Sequence, residues 1–209
     1  MDLGAMIEGP PCESQIERDV EYRFLKYLAP DTRVERQAWV NTAWGAFRID
    51  FLLLHHEQRI GIECDGASFH DEYRDEWRDA IVLGSGELDE IIRLAGQDIH
   101  YRPDDCIYLL SQMHPEVFTE RSRCNLERIA SPEARDAQFL NGKLRYVALV
   151  PKHGDDGEIG AQSTVRIAWR RRNAMRQYWQ KLYEAALAIG PCSLDELIAR
   201  DFAIWSNRF

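Results

Sequence analysis

Arg48-Ile49-Asp50-Phe51-Leu52-Leu53-Leu54 is followed by Gly61-Ile62-Glu63-Cys64-Asp65-Gly66-Ala67-Ser68-Phe69-His70, and then by Asp75-Glu76-Trp77-Arg78-Asp79. Apolar residues in two strand-like runs carry acids among them. Acids on a buried sheet are costly unless a cation or hydrogen bonds compensate them. Asp50, Glu63, Asp65, His70, Asp75 and Asp79 therefore point to a metal site rather than to a solvated face.

Working outward, His55-His56-Glu57 reads as the hairpin turn between strands at Phe47 to Leu54 and Gln58 to Cys64. Arg33 to Val40 is strand-like. Ahead of it, Ile16, Val20, Phe24, Tyr27 and Leu28 recur at helical spacing from Ser14, and Pro30 closes the segment. Asp71 to Leu83 predicts a helix with Tyr73, Trp77 and Ile81 on one face, ended by Gly84-Ser85-Gly86. Ile91 to Ala95 is a short buried strand, and Pro103 to Met113 a helix. Helix, meander, helix, strand, helix is an α/β pattern.

Beyond residue 115 the signals are sparser. Ser131-Pro132-Glu133 is a helix start. Leu144 to Val150 and Thr164 to Trp169 predict a β-hairpin around an exposed Gly- and Asp-rich loop. Arg170 to Ile189 predicts a basic amphipathic helix with Met175, Trp179, Leu182, Ala186 and Leu187 inward. Ser193-x-x-Glu196 is a capping box that opens a last helix. The expected division is a core at 1–115 and a C-terminal α+β extension at 116–209.

At 209 residues, with 45% hydrophobic and 11% aromatic residues, the chain can bury a sizeable core. It has no bilayer-length apolar run and no signal-peptide pattern, so no membrane role is expected. Five scattered cysteines without a C-x-x-C pair suit a reducing cytoplasm and offer no thiolate zinc site. A formal charge of −9 argues against broad, non-specific nucleic-acid binding, but not against a local basic surface.

Asp50 and Glu63 lie on hairpin-paired strands, which can bring two carboxylates together so that their repulsion favours a divalent cation. Mg2+ or Mn2+ suits such a site: hard ions held by one or two carboxylates, with water and phosphate oxygens completing the shell. The competing reading is two solvated edge-strand acids.

The region resembles the PD-(D/E)xK nuclease superfamily, in the branch of the very-short-patch-repair endonucleases and the EDxHD endonucleases. The likeness rests on Ser14-Gln15-Ile16-Glu17 as a first-helix acid motif and on Arg48-Ile49-Asp50-Phe51 as an Arg-Pro-Asp-Phe strand. It rests also on Glu63-Cys64-Asp65-Gly66 as a Glu-x-Asp-Gly strand end, on His70 four residues later, and on Asp75-x-x-Arg78-Asp79. Gln37, after Glu35-Arg36, matches a recurring arginine–glutamine pair. These motifs span roughly residues 14 to 112, about half the chain. Two departures stand out: Asp65 holds the position of the superfamily's lysine, and Ile49 replaces proline.

The resemblance implies a restriction-endonuclease-like core, with a mixed central sheet flanked by helices, and a metal-dependent endonuclease that hydrolyses DNA phosphodiesters or nicks one strand. It implies Asp50 as principal metal ligand, with Glu63 and Asp65 completing the acidic cluster, helped by the Cys64 carbonyl. His70 would be the general base for the attacking water. Asp75, in preference to Asp79, would orient the imidazole, and Glu17 would reach in from the first helix.

Each residue has a plainer role beside this one. Glu17 completes a capping box; Asp75, Arg78 and Asp79 form a surface ion-pair ladder; Asp71 caps a helix; Phe69, Trp39 and Trp44 are core. Arg166, Arg170, Arg171, Arg172 and Arg176 are the candidate phosphate contacts. The rival functions are a catalytically silent nucleic-acid-binding or protein-interaction module on the same fold, and an RNA-directed defence or toxin-like nuclease. The extension offers a surface for a protein partner or a homodimer.

Overall fold

The computed structural model describes residues 6–66, 72–140, 143–149, 162–172 and 178–206. It is built on one mixed eight-stranded sheet with helices on both faces. The elements in chain order are β1 (Met6–Glu8), α1 (Gln15–Tyr27), β2 (Arg33–Thr42), β3 (Gly45–His55), β4 (Gln58–Asp65), α2 (Glu72–Gly84), β5 (Glu90–Ala95), α3 (Gly96–Tyr101) and α4 (Pro103–Met113). A 3-10 turn at Pro115–Val117 leads to α5 (Glu120–Ile129), α6 (Pro132–Arg135), β6 (Gln138–Leu140), β7 (Lys143–Leu149), β8 (Gln162–Arg171), α7 (Tyr178–Ile189) and α8 (Leu194–Ser206). The sheet order is β1-β2-β3-β4-β5-β8-β7-β6. β2, β3 and β4 form the antiparallel meander, and β5 joins β4 in parallel after the α2 crossover.

Two apolar cores flank the sheet. The first holds Val20 and Phe24 of α1, Ile107 and Leu110 of α4, and Phe51, Leu53, Ile60, Ile62, Ile92 and Leu94 from the strands. The second joins Trp77 and Ile81 of α2 to Trp179, Leu182 and Ala186 of α7, with Leu197 of α8. The α2–α7 approach is close: a Cβ at Gly84 would lie 2.2 Å from the Tyr183 ring.

The region after residue 115 is continuous with the core sheet, because β8 runs antiparallel beside β5 with Ile92 opposite Trp169. The expected β-hairpin is β7–β8. The expected helix from Arg170 to Ile189 is not: β8 runs to Arg171 and α7 starts at Tyr178. Arg170 is drawn inward beside Ile91 to an acid on α2, which keeps this arginine run extended. Of the expected inward residues of α7, Leu187 is exposed and Met175 lies outside the described residues. No helix among the described residues is long and apolar enough to cross a membrane.

Candidate functional site: an acid cluster at a break in the sheet

The alternation of β3 reverses at Asp50. Phe51 and Leu53 face the first core and Leu52 the second, yet Ile49 also faces the second. β2 makes the same switch between Val34 and Ala38. Gln37 stands opposite Asp50, between the pairs Arg36–Phe51 and Ala38–Ile49, and has a left-handed φ of 49°. A non-glycine residue held there carries strain of about 1–3 kcal/mol, and such positions cluster at functional sites. The irregularity turns Asp50 out of the ladder. Its Oδ2 accepts the Cys64 N–H of β4 at 2.8 Å, just past the last β3–β4 pair, Phe51–Ile62.

Glu17 is both a cap and part of this cluster. Its N–H donates to Ser14 Oγ at 3.2 Å, and its Oε1 accepts the Ser14 hydroxyl at 2.6 Å. Its Oε2 accepts the Glu13 N–H at 3.0 Å and the Gln37 amide at 2.7 Å. Glu17 is buried, and the buried Oε1 of Gln37 has no hydrogen-bond partner. An orphaned buried carbonyl oxygen is costly unless something unseen satisfies it.

Arginines answer the other acids. Arg78 of α2 donates to Glu63 Oε1 at 2.5 Å and to the Arg48 carbonyl. Arg93 of β5 is buried. It donates to Asp65 Oδ1 at 2.8 Å and to both oxygens of Asp79 at 2.9 and 2.7 Å, and lies 3.7 Å from Asp75. Arg170 also donates to Asp79 and lies 3.8 Å from Glu76. No direct ion pair to Asp50 is found among the described residues, and Arg78 acts on it from farther away.

Burial dominates the electrostatics. It raises the Asp50 carboxyl above its ordinary range; the Cys64 N–H and Arg78 oppose this, while Glu17 and Asp65 add to it. Burial pushes Glu63 up to about 8, against the pull of Arg78 and Arg93, with Asp50 and Asp65 raising it further. Arg93 shows the reverse balance: burial disfavours its charge, yet Glu63, Asp65 and Asp75 hold it more firmly protonated. Burial thus makes Asp50 and Glu63 hold a proton more readily than ordinary carboxyls.

Oxygen donors suit a hard divalent ion. Asp50 is close enough to Glu63 to raise its pKa, and Gln37, whose Oε1 is orphaned, stands opposite Asp50 on β2. Asp65 is engaged by Arg93, so the expected three-carboxylate ligand set is not gathered as a group. Among the described residues, the one His/Cys/Asp/Glu trio whose ligand atoms all lie within 4.8 Å of one another is Asp31, His55 and His56.

His70, Phe69 and Asp71 lie outside the described residues, as does Arg176. The expected phosphate-binding arginines are occupied differently from the sequence expectation. Arg170 joins the Asp79 network, and the Arg171 guanidinium stacks 4.2 Å above the Trp169 ring. Arg172 donates to Asp89 at 2.6 Å and to the Gly86 carbonyl at 2.7 Å. Trp44 is core as expected, but Trp39 is 64% exposed, opposite Arg48 in the β2–β3 ladder.

Sequence reasoning passed over Arg93, read as one of an apolar run. The available signal was a lone arginine in a buried strand, which requires acidic partners.

No protein-family model, curated protein or solved structure matches the chain.

Proposed function

We propose that the protein is a metal-dependent endonuclease with a PD-(D/E)xK-type core, cutting or nicking DNA at the Asp50–Glu63 cluster. The observation that carries this reading is Asp50 turned out of the ladder at the Gln37 break, bonded to the Cys64 N–H and close enough to Glu63 to raise its pKa, with burial raising both carboxyls. The order α1, three-strand meander, α2, parallel β5 agrees with such a core.

When bound, Mg2+ or Mn2+ would polarise the phosphodiester and make water a stronger nucleophile. Asp50 and Glu63 would hold the ion, and Glu17 would fix Gln37 beside them. Arg78 sets the orientation of Glu63, and Arg93 that of Asp65. His70 would accept the proton of the attacking water, with Asp75 on the first turn of α2 as its partner. The exposed Trp39 offers a stacking surface on β2, opposite Arg48, whose guanidinium pairs with Glu13 at 2.7 Å.

One observation favours the rival reading of a catalytically silent nucleic-acid-binding or interaction module. Glu63 and Asp65 are each paired with an arginine, a network that closes without a metal.

Plasmid cleavage in Mg2+ or Mn2+ decides between them. Wild type should cut and Asp50→Asn should not, with its fold intact. His70→Ala should lose about 10²–10⁴-fold in rate, the usual contribution of a general base. A wild-type protein that binds DNA but never cuts it would establish the silent module. A parallel RNA substrate tests the RNA-directed alternative.

A further inference from the structure

We propose that Asp31, His55 and His56 form a second metal site, for a zinc-class divalent cation, at the end of the sheet away from Asp50. Their ligand atoms all lie within 4.8 Å of one another. Two imidazoles and one carboxylate are the donors of zinc sites with three protein ligands and one open position. They differ in kind from the oxygen donors around Asp50, so the two sites select different ions. His55 is five residues from Asp50 along β3, roughly 16 Å at strand spacing.

Two features beyond proximity support the site. His56 has a left-handed φ of 51° at the first central position of the two-residue turn between His55 and Gln58. Glycine is the ordinary residue there. The strained backbone holds the two imidazole rings edge to face, 4.3 Å between centroids. His55 is buried, with Nδ1 3.1 Å from Thr32 Oγ1. The Thr32 hydroxyl donates to the Val117 carbonyl at 3.3 Å. The contact accommodates the tautomer a metal needs: with the hydroxyl proton on Val117, Nδ1–H donates to Oγ1 and Nε2 keeps its lone pair. A second partner of this kind is the usual support of a metal-bound histidine.

Asp31 lies in the turn ahead of β2, and His55-His56 at the β3–β4 tip. Zinc held by all three would tie these chain segments together and raise stability, because it binds the folded chain in preference to the unfolded one.

Zinc titration of the full chain by calorimetry, with melting temperature as a second readout, tests the site. The exposed residues Asp31 and His56 supply the variants, Asp31→Asn and His56→Gln, whose metal-free melting should match wild type. Wild type should bind one zinc saturably and melt higher with it. Each variant should bind at least about 10–100-fold more weakly, the loss typical of removing even an outer partner. Asp50→Asn should bind zinc as wild type does. Undiminished binding in Asp31→Asn and His56→Gln would overturn the proposal, as would no zinc binding by wild type. Loss in Asp50→Asn as well would place the zinc at the acid cluster and overturn it equally.

Discussion

Arg93 lies directly beside Glu63 in the parallel β4–β5 register, yet its guanidinium is gripped by both oxygens of Asp79 from α2. One buried arginine thus ties the acid-bearing strand to the helix that crosses over it. Asp65 and Asp75 also face Arg93.

Arg93→Met should therefore destabilise the fold strongly. Removing one partner of a buried pair typically costs about 3–5 kcal/mol, because the remaining charge stays buried. Arg170 still reaches Asp79, which places the expected loss toward the lower end. Urea denaturation of wild type and variant measures it. A loss under about 1 kcal/mol, the range of exposed pairs, would show that the network contributes little.

His114 gives a pH-dependent prediction. It is buried between Glu90 at 3.0 Å on Nε2 and Glu116 at 3.0 Å on Nδ1. Burial alone would lower its pKa, but the two carboxylates outweigh burial and raise it. A histidine whose folded pKa lies above the unfolded value of about 6.5 contributes stability fully below that pH, and loses it as pH rises through the folded value. The melting-temperature gap between wild type and His114→Gln should be widest near pH 6 and narrow toward alkaline pH. Hydrogen bonds to charged groups contribute about 1.5–3 kcal/mol, discounted here because Glu116 is partly exposed. A gap that widens with pH would contradict the assignment.

Trp39 separates packing from binding. As an exposed residue, its change to Ala should alter stability by no more than about 0.5 kcal/mol. If it stacks on an unpaired base, affinity for a short single-stranded DNA should fall by about 1–3 kcal/mol. Fluorescence anisotropy at fixed salt reads the difference, and an unchanged affinity would remove Trp39 from the binding surface.

Much of the core was legible because its signals are local. Ser14 and Glu17 form the reciprocal cap their spacing predicts. His55–Gln58 closes the turn expected at His55-His56-Glu57, and α4 occupies Pro103–Met113 as expected. Ser193 and Glu196 cap α8. What was not legible depends on distant partners. Arg170 stays in a strand because Asp79, 91 residues away, draws it inward. α5 buries only Ser122 and Leu126, too few apolar residues for its inward face to stand out in the sequence. The face reversal at Asp50 follows from Gln37 taking a left-handed conformation, which no local rule assigns to glutamine. At the candidate site the acids were readable from their strand positions. Their arginine partners were not, because Arg93 and Arg78 meet them only once α2 lies across the sheet.

The central claim is that Asp50 and Glu63 together hold a catalytic divalent cation. Mn2+ binding to wild type, Asp50→Asn and Glu63→Gln, followed by calorimetry in zinc-free buffer, tests it most directly. Wild type should bind Mn2+ saturably and melt higher with it. Both variants should lose that binding; Asp50→Asn should melt no lower than wild type without metal, whereas Glu63→Gln also gives up the Arg78 ion pair and should melt lower. Equal Mn2+ affinity in all three proteins would contradict the account and leave the acid cluster as an ion-pair network alone.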